Sequence, residues 1–178
     1  GQNVGTTQTH AANAAAADLG LYYQNKLNID LPSEYAFGLQ ISNLGTKISY
    51  SDNMESSFLP ANLRLGGRYT MDFDQFNNLS LMVDLNKLLV PTPPVYNEDG
   101  SIYAGMDPNV GILQGAIQSF YDAPNGLKEE MQEISLSVGA EYWYNKVLAV
   151  RAGYFYEAKN KGARQYLTVG AGLRYNVM

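Results

Sequence analysis

Cysteine is absent from this 178-residue chain, histidine occurs once, and charged side chains make up only 16% of it. Each shortage excludes a class of function. Without cysteine there is no disulfide, no thiolate-bound zinc and no thiol nucleophile. With His10 as the only imidazole, a Ser-His-Asp triad or a multi-histidine metal centre lacks its material. The polar run Thr6-Thr7-Gln8-Thr9 beside it makes His10 an expected exposed bystander. Basic residues, 12 against 17 acidic ones, form no block, and the net charge of −5 argues against nucleic acid, whose phosphates are held by Lys and Arg clusters. No run reaches the roughly 18 consecutive apolar residues of a transmembrane helix. The opening Gly1-Gln2-Asn3-Val4 has neither the basic nor the apolar segment of a secretory signal.

In place of charge the chain carries aromatics and glycine: 14 Tyr, 6 Phe, 1 Trp and 17 Gly. That mixture suits strands. A mean hydropathy of −0.24 is compatible with transmembrane strands, which need only about 9 to 11 alternating residues. Period-two alternation recurs along most of the chain. Gln165, Leu167, Val169, Ala171, Leu173, Tyr175 and Val177 share one face, with Tyr166, Thr168, Gly170, Gly172, Arg174 and Asn176 opposite. Leu148 to Glu157 alternates likewise, and the two-residue link Asn145-Lys146 joins it to the run from Ile134 to Tyr144, which predicts a tight hairpin. Residues 61–72, 79–86 and 35–42 repeat the pattern. Residues 12–24 also favour a strand, although Ala14-Ala15-Ala16-Ala17 has high helix propensity.

Between Lys87 and Met131 the alternation stops. Pro91, Pro93 and Pro94 end the fourth strand, and Asn97-Glu98-Asp99-Gly100 reads as a turn. Ile112, Ala116 and Phe120, spaced by four with Leu113 and Ile117 beside them, predict one amphipathic helix of about three turns, with Asp107 as its cap and Pro108 in its first turn. The chain is thus read as a single β-barrel segment, residues 1–178, with 87–131 a long helix-containing excursion. Excursions of this length are usually functional.

The polar face decides how the barrel is turned. A soluble barrel or sandwich would clothe that face in Lys and Glu, whereas here it holds Gly, Ser, Thr, Asn and charges of both signs. Arg64, Arg68, Asp84, Glu141, Arg151, Glu157 and Arg174 fall on it and are the expected lumen-facing residues. The other face offers Leu, Val, Ala and rings to lipid. Tyr69, Phe73, Tyr142, Trp143, Tyr144, Tyr154, Tyr156 and Tyr175 gather near strand ends, as in an interfacial aromatic girdle. Short links at Asn145-Lys146 and 72–78 mark the periplasmic side; the excursion and the 157–164 and 46–60 links then lie outside. Seven strands would leave open edges in a bilayer, so the chain is expected to be part of a larger, even-stranded barrel.

Particular stretches carry a family resemblance. Asp84-Leu85-Asn86-Lys87-Leu88-Leu89-Val90-Pro91-Thr92-Pro93-Pro94, Gln118-Ser119-Phe120-Tyr121-Asp122-Ala123-Pro124, Gly139-Ala140-Glu141-Tyr142-Trp143-Tyr144-Asn145, Ala149-Val150-Arg151-Ala152-Gly153-Tyr154-Phe155 and Gly170-Ala171-Gly172-Leu173-Arg174-Tyr175-Asn176-Val177 resemble the PorV family. This family, also called LptO, is the outer-membrane component of the type IX secretion system of Bacteroidetes. The likeness runs from Ala12 onward and corresponds to the carboxyl-terminal half of a family member.

The resemblance implies a barrel of about fourteen strands akin to the fatty-acid transporter FadL, and a role without catalysis or cofactor. Its implied partners are outer-membrane lipid, the type IX translocon, the carboxyl-terminal signal domains of exported cargo, and the sortase that receives them. Pro91, Pro93, Pro94, Ile112, Ile117, Phe120 and Tyr121 in the excursion are the candidate partner contacts. Two alternatives stand beside this reading, a FadL-like transporter of hydrophobic small molecules and a soluble antiparallel β-barrel binding protein. An enzyme is not expected. Carboxylates such as Asp18, Asp84, Glu141 and Glu157 have no diagnostic spacing, and no histidine lies near Ser135 or Ser137. Asp72, Asp74 and Asp99 lack a full calcium loop around them.

Overall fold

The computed structural model describes residues 12–49 and 56–175, so His10, Asn176 and Val177 lie outside the described residues. The alternating stretches form β1 (Ala16–Leu27), β2 (Ser33–Gly45), β3 (Asn62–Asp72) and β4 (Asn78–Leu88). After the excursion come β7 (Ile134–Tyr144), β8 (Leu148–Tyr156) and β9 (Gln165–Leu173). Within it lie β5 (Val95–Tyr96), β6 (Ile102–Ala104), α1 (Ile112–Gln118) and α2 (Leu127–Gln132).

The seven long strands make one antiparallel sheet in the order β1-β2-β3-β4-β7-β8-β9. The excursion leaves the meander at β4 and returns to the neighbouring position at β7. This is the antiparallel architecture the alternation predicts, an open sheet as expected for a segment of a barrel. With 9 to 13 residues each, the long strands meet the span of about 9 to 11 residues that a bilayer requires.

Local chemistry sets the turns. Asn145 and Lys146 both adopt positive φ, 51° and 53°, and the Val147 N–H donates to the Tyr144 carbonyl at 3.1 Å. These are the features of a type I′ hairpin turn, whose twist matches that of its strands. The 72–78 link is held by Asp74, whose carboxylate accepts from the N–H groups of Phe76 and Asn77 at 2.7 and 2.8 Å. Those bonds and one from the Asn77 amide keep the Asp74 carboxyl below its usual range, the side-chain bond contributing most. Asp99 likewise accepts from the Ser101 hydroxyl and N–H, at 2.6 and 2.9 Å, inside the β5–β6 hairpin. Asp74 and Asp99 are therefore turn-fixing residues. A bulge at Asn43, φ 57°, shifts the β1–β2 register, with its N–H donating to Asp18.

The two faces of the sheet differ in shelter. Ala36, Ser80, Ser135 and Ala149 are buried, and all lie on the polar face. On the apolar face Leu21, Val83, Val150, Val169 and Leu173 are 69%, 44%, 55%, 80% and 73% exposed. Among the described residues the buried apolar side chains, prolines apart, are five alanines and Leu89, while the largest fully buried side chains are Gln118, Asp122 and Ser119. A soluble sandwich seals its leucines and valines and wets its polar side. Here four of the six buried strand positions lie on the polar side, the exceptions being Ser33 and Lys87, and on β1 and β9 both faces are exposed.

Candidate functional site

Antiparallel register carries the polar face across the sheet. Arg64 stands opposite Asn86, Arg68 opposite Met82, and Asp84 opposite both Gly66 and Ser137. Glu141 stands opposite Ser80 and Arg151, so these five candidate residues share one face. Glu157 and Arg174 lie just beyond the ends of β8 and β9. Ion pairs stitch the surface together. Arg68 reaches Glu34 at 2.7 Å, and Thr70 and Ser80 share a hydrogen bond of 2.8 Å.

Toward the short-turn end the polar face carries a cluster around one indole. Trp143 donates its ring N–H to Glu141 at 2.7 Å, and Arg151 also donates to Glu141. The Arg174 guanidinium lies 4.5 Å from the Trp143 ring centroid. Gly172 makes room for this cluster, since a Cβ there would lie 2.9 Å from Arg151 Nη1. Trp143 thus departs from the girdle expected for it. Its neighbours Tyr142 and Tyr144 do point to the apolar side, where Tyr142 meets Phe73 at 6.5 Å.

The excursion is held by buried charge. Lys87 continues the apolar phase of β4, yet its ammonium is buried and donates to Glu130 at 3.1 Å and Glu133 at 2.7 Å. Glu133 also accepts from the Thr92 hydroxyl at 2.6 Å and from Lys161 at 2.8 Å, and Lys161 reaches Glu129 at 2.6 Å. Burial pushes the Glu133 carboxyl up, but the bonds from Lys161, Lys87 and Thr92 outweigh it and hold the group below its ordinary range. At Asp122 burial wins and raises the carboxyl, although the Thr92 N–H donates to it at 3.0 Å.

None of these anchors was singled out by pattern. The available signals were Lys87 on an otherwise apolar stripe and the acids Glu129, Glu130 and Glu133 at helical spacing.

Around these anchors the helices differ from expectation. α1 spans seven residues, not three turns, and α2 follows the Pro124-Asn125-Gly126 break. The first residue before α1 is Gly111, with no side-chain cap. Asp107 does not cap it: the Asp107 carboxylate accepts from the Asn109 N–H at 2.8 Å and its carbonyl from the Gln118 amide at 2.9 Å.

The faces of α1 are also inverted. Gly115 and Gln118 are buried, as are Ser119 and Asp122 after it, while Leu113, Ile117, Phe120 and Tyr121 are exposed and Ile112 is half-buried. On α2, Leu127 and Met131 point outward and Glu130 inward. In the proline run Pro91 and Pro94 are buried and Pro93 is exposed. Of the candidate contact residues, Pro93, Ile117, Phe120 and Tyr121 are therefore the exposed ones, with Pro91 and Pro94 acting as internal packing.

Where the excursion meets the polar face there is a cavity of about 510 Å³. Its floor is Asn62, Asn86 and Ser135 on β3, β4 and β7, and one wall is the chain from Leu88 to Pro93. The far wall pairs Glu133 with Lys161 and Glu157 with Arg164, the last through two contacts of 2.8 Å. Arg164 holds the Glu157 carboxyl below its usual range.

The family model described as type IX secretion system protein PorV matches residues 2–95. This is just over half of the 178 residues and takes in β1 to β4 and the proline run. No curated protein matches the chain.

Proposed function

The chain belongs to the PorV family of type IX secretion system proteins, and from that membership we propose that it is a non-enzymatic outer-membrane component of that system. In this reading it binds exported cargo through the cargo's carboxyl-terminal signal domain. It passes the cargo from the translocon to the surface sortase. The observation that carries the membrane part is the continuous apolar face, exposed from Leu21 on β1 to Val169 on β9 and set opposite a face of Gly, Ser, Thr, Asn and charges of both signs. Such an arrangement is stable where hydrocarbon replaces water on that side. Arg64, Arg68, Asp84, Glu141 and Arg151 then border an aqueous lumen.

Orientation follows from the links. The turns at 145–147 and 73–77 are short and self-capped, as periplasmic turns are, so the excursion lies at the cell surface. There Ile117, Phe120 and Tyr121 form the contact surface for secretion partners, with Ile112 and Pro93 at its margin. Exposed apolar side chains on a segment fixed by buried ion pairs make an ordered docking patch.

The test is the triple replacement Ile117→Ser, Phe120→Ser, Tyr121→Ser in cells that depend on this protein for export. Because these side chains point outward, assembly into the outer membrane and the heat-modifiable gel mobility of a barrel are expected to be retained. Cargo co-purification and surface attachment are expected to fall by at least about tenfold, the order of losing one hot-spot contact. Unchanged export with normal assembly removes the contact role.

A further inference from the structure

The cluster around Trp143 holds more positive charge than it uses. Glu141 accepts from the Arg151 Nε–H and, at 2.7 Å, from the Trp143 indole N–H, so its carboxylate is taken and the ring is fixed. Arg174 lies against that ring, its guanidinium carbon 4.5 Å from the centroid, and among the described residues its side chain has no ion pair and no hydrogen bond. The Arg151 guanidinium carbon is 5.8 Å from the same centroid. Each guanidinium carries five N–H donors in a planar fork. One of Arg151's is spent on Glu141, and the rest, with all of Arg174's, have no protein acceptor among the described residues. Gly172 keeps the ground between them clear, since a Cβ there would lie 2.9 and 3.3 Å from the two terminal nitrogens of Arg151.

No neighbour cancels the surplus. Two guanidiniums against one carboxylate leave a single positive charge. The next acid along this end of the face is Asp72 on β3, which reaches Trp143 in register only through Asn78, two strands or roughly 10 Å away. Arg68 already holds Glu34, with Lys26 opposite that same glutamate, on β1 to β3. The turns beneath add Lys146 and Asp74, one charge of each sign, and are tied together by the Lys146 N–H donating to the Phe76 carbonyl at 2.8 Å.

A guest for this place is therefore an anion, and one carrying a single charge. A phosphate monoester brings nearly two and leaves an excess beside Glu141. A carboxylate brings one, and its two in-plane oxygens match a guanidinium fork. Glu141 already shows a carboxylate accepting from Arg151 and from the indole here. We propose that Arg151 and Arg174 form a binding site for a carboxylate beside the Trp143 ring. The guest accepts from the free terminal N–H groups of Arg151 and from the Arg174 fork, at the short-turn end of the polar face. The assignment requires only that this face meets water, so it stands or falls apart from the secretion role.

The carboxylate can belong to a small organic acid or to an acidic polypeptide segment, and one titration separates the two. Trp143 is the chain's only tryptophan, so its emission reports on the site directly. The full chain in detergent is titrated, at ionic strength held constant with sodium chloride, with acetate, with an end-blocked triglutamate peptide, with its triglutamine counterpart, and with phosphate and sulfate. Saturable change with acetate or triglutamate is expected in the millimolar range or tighter, with none from triglutamine. Equal affinity for acetate assigns the site to small acids, and tighter triglutamate binding assigns it to acidic polypeptide. Arg174→Gln, at an exposed position, should weaken binding at least about tenfold at unchanged heat-modifiable mobility. Arg64→Gln, which removes an exposed cation elsewhere on the same face, should leave it intact. The proposal is overturned if neither carboxylate saturates, if phosphate or sulfate binds more tightly than both, if binding survives Arg174→Gln, or if Arg64→Gln weakens it as much.

Discussion

Lys87 shows how a single side chain can hold an excursion of more than forty residues. Its ammonium lies between Glu130 and Glu133, two carboxylates that are themselves buried. Replacing it by methionine leaves the buried Glu130 without its cation and Glu133 with Lys161 alone, and breaking such a buried pair costs about 3–5 kcal/mol. Lys87→Met should therefore expose 89–133 to protease while the sheet persists, and adding Glu130→Gln with Glu133→Gln should recover most of the loss. Protease mapping with gel mobility reads both outcomes.

The pH dependence has two opposed parts. Glu129 and Glu133 titrate below their ordinary range, so their stabilisation is present above the unfolded carboxylate value, about 4.3, and is lost as pH falls through their folded values. Asp122 is raised, so its contribution is present at low pH and is lost as pH rises through its folded value. Protease protection of the excursion should pass through a maximum on the acid side of neutrality. Asp122→Asn should flatten the alkaline limb alone; an unchanged alkaline limb would remove Asp122 from this role. Lys87 itself escaped the sequence reading because its partners lie 43 and 46 residues away.

Among the elements, the strands were legible and the helices only partly so. Alternation is a short-range signal, and each long strand appears where it was expected, within a few residues. β9, for example, ends at Leu173, where the pattern allowed it to continue. The spacing of Ile112, Ala116 and Phe120 does mark a helix, but periodicity tells only that one side is apolar. It does not tell which side is inward. Inversion of α1 depends on polar partners distant in sequence: Gln118 on the Asp107 carbonyl and Asp122 on the Thr92 N–H. The β5–β6 hairpin and α2 are too short to raise a periodic signal of their own. α1 seats closely through Gly115, where a Cβ would lie 2.8 Å from Phe58 Cε1 and 3.1 Å from Pro91 Cγ. Gly115→Val should lift α1 and increase amide exchange across 112–118. Leu113→Ser, on the exposed side, should change stability by no more than about 0.5 kcal/mol.

At the scale of the molecule, one sheet exposes leucines and valines on one face and buries Ala36, Ser80, Ser135 and Ala149 on the other. The strand order of a simple meander follows from the links, and it was legible because each pair is joined locally except across the excursion. The outer edges of β1 and β9 have no strand partner among the described residues. In a bilayer such edges need pairing, through further strands or a second sheet. The direction of the faces matters more, since lipid contact, lumen and surface excursion all depend on it. Spin labels placed singly at Leu81, Val83, Val150 and Val169, and at Asp84, Arg151 and Thr168, settle it in reconstituted bilayers. The first four should be accessible to oxygen and shielded from a water-soluble nickel complex, and the last three the reverse, in one phase across β4, β8 and β9. Water access at Val83, Val150 and Val169 with oxygen access at Asp84 and Arg151 would contradict the membrane assignment outright.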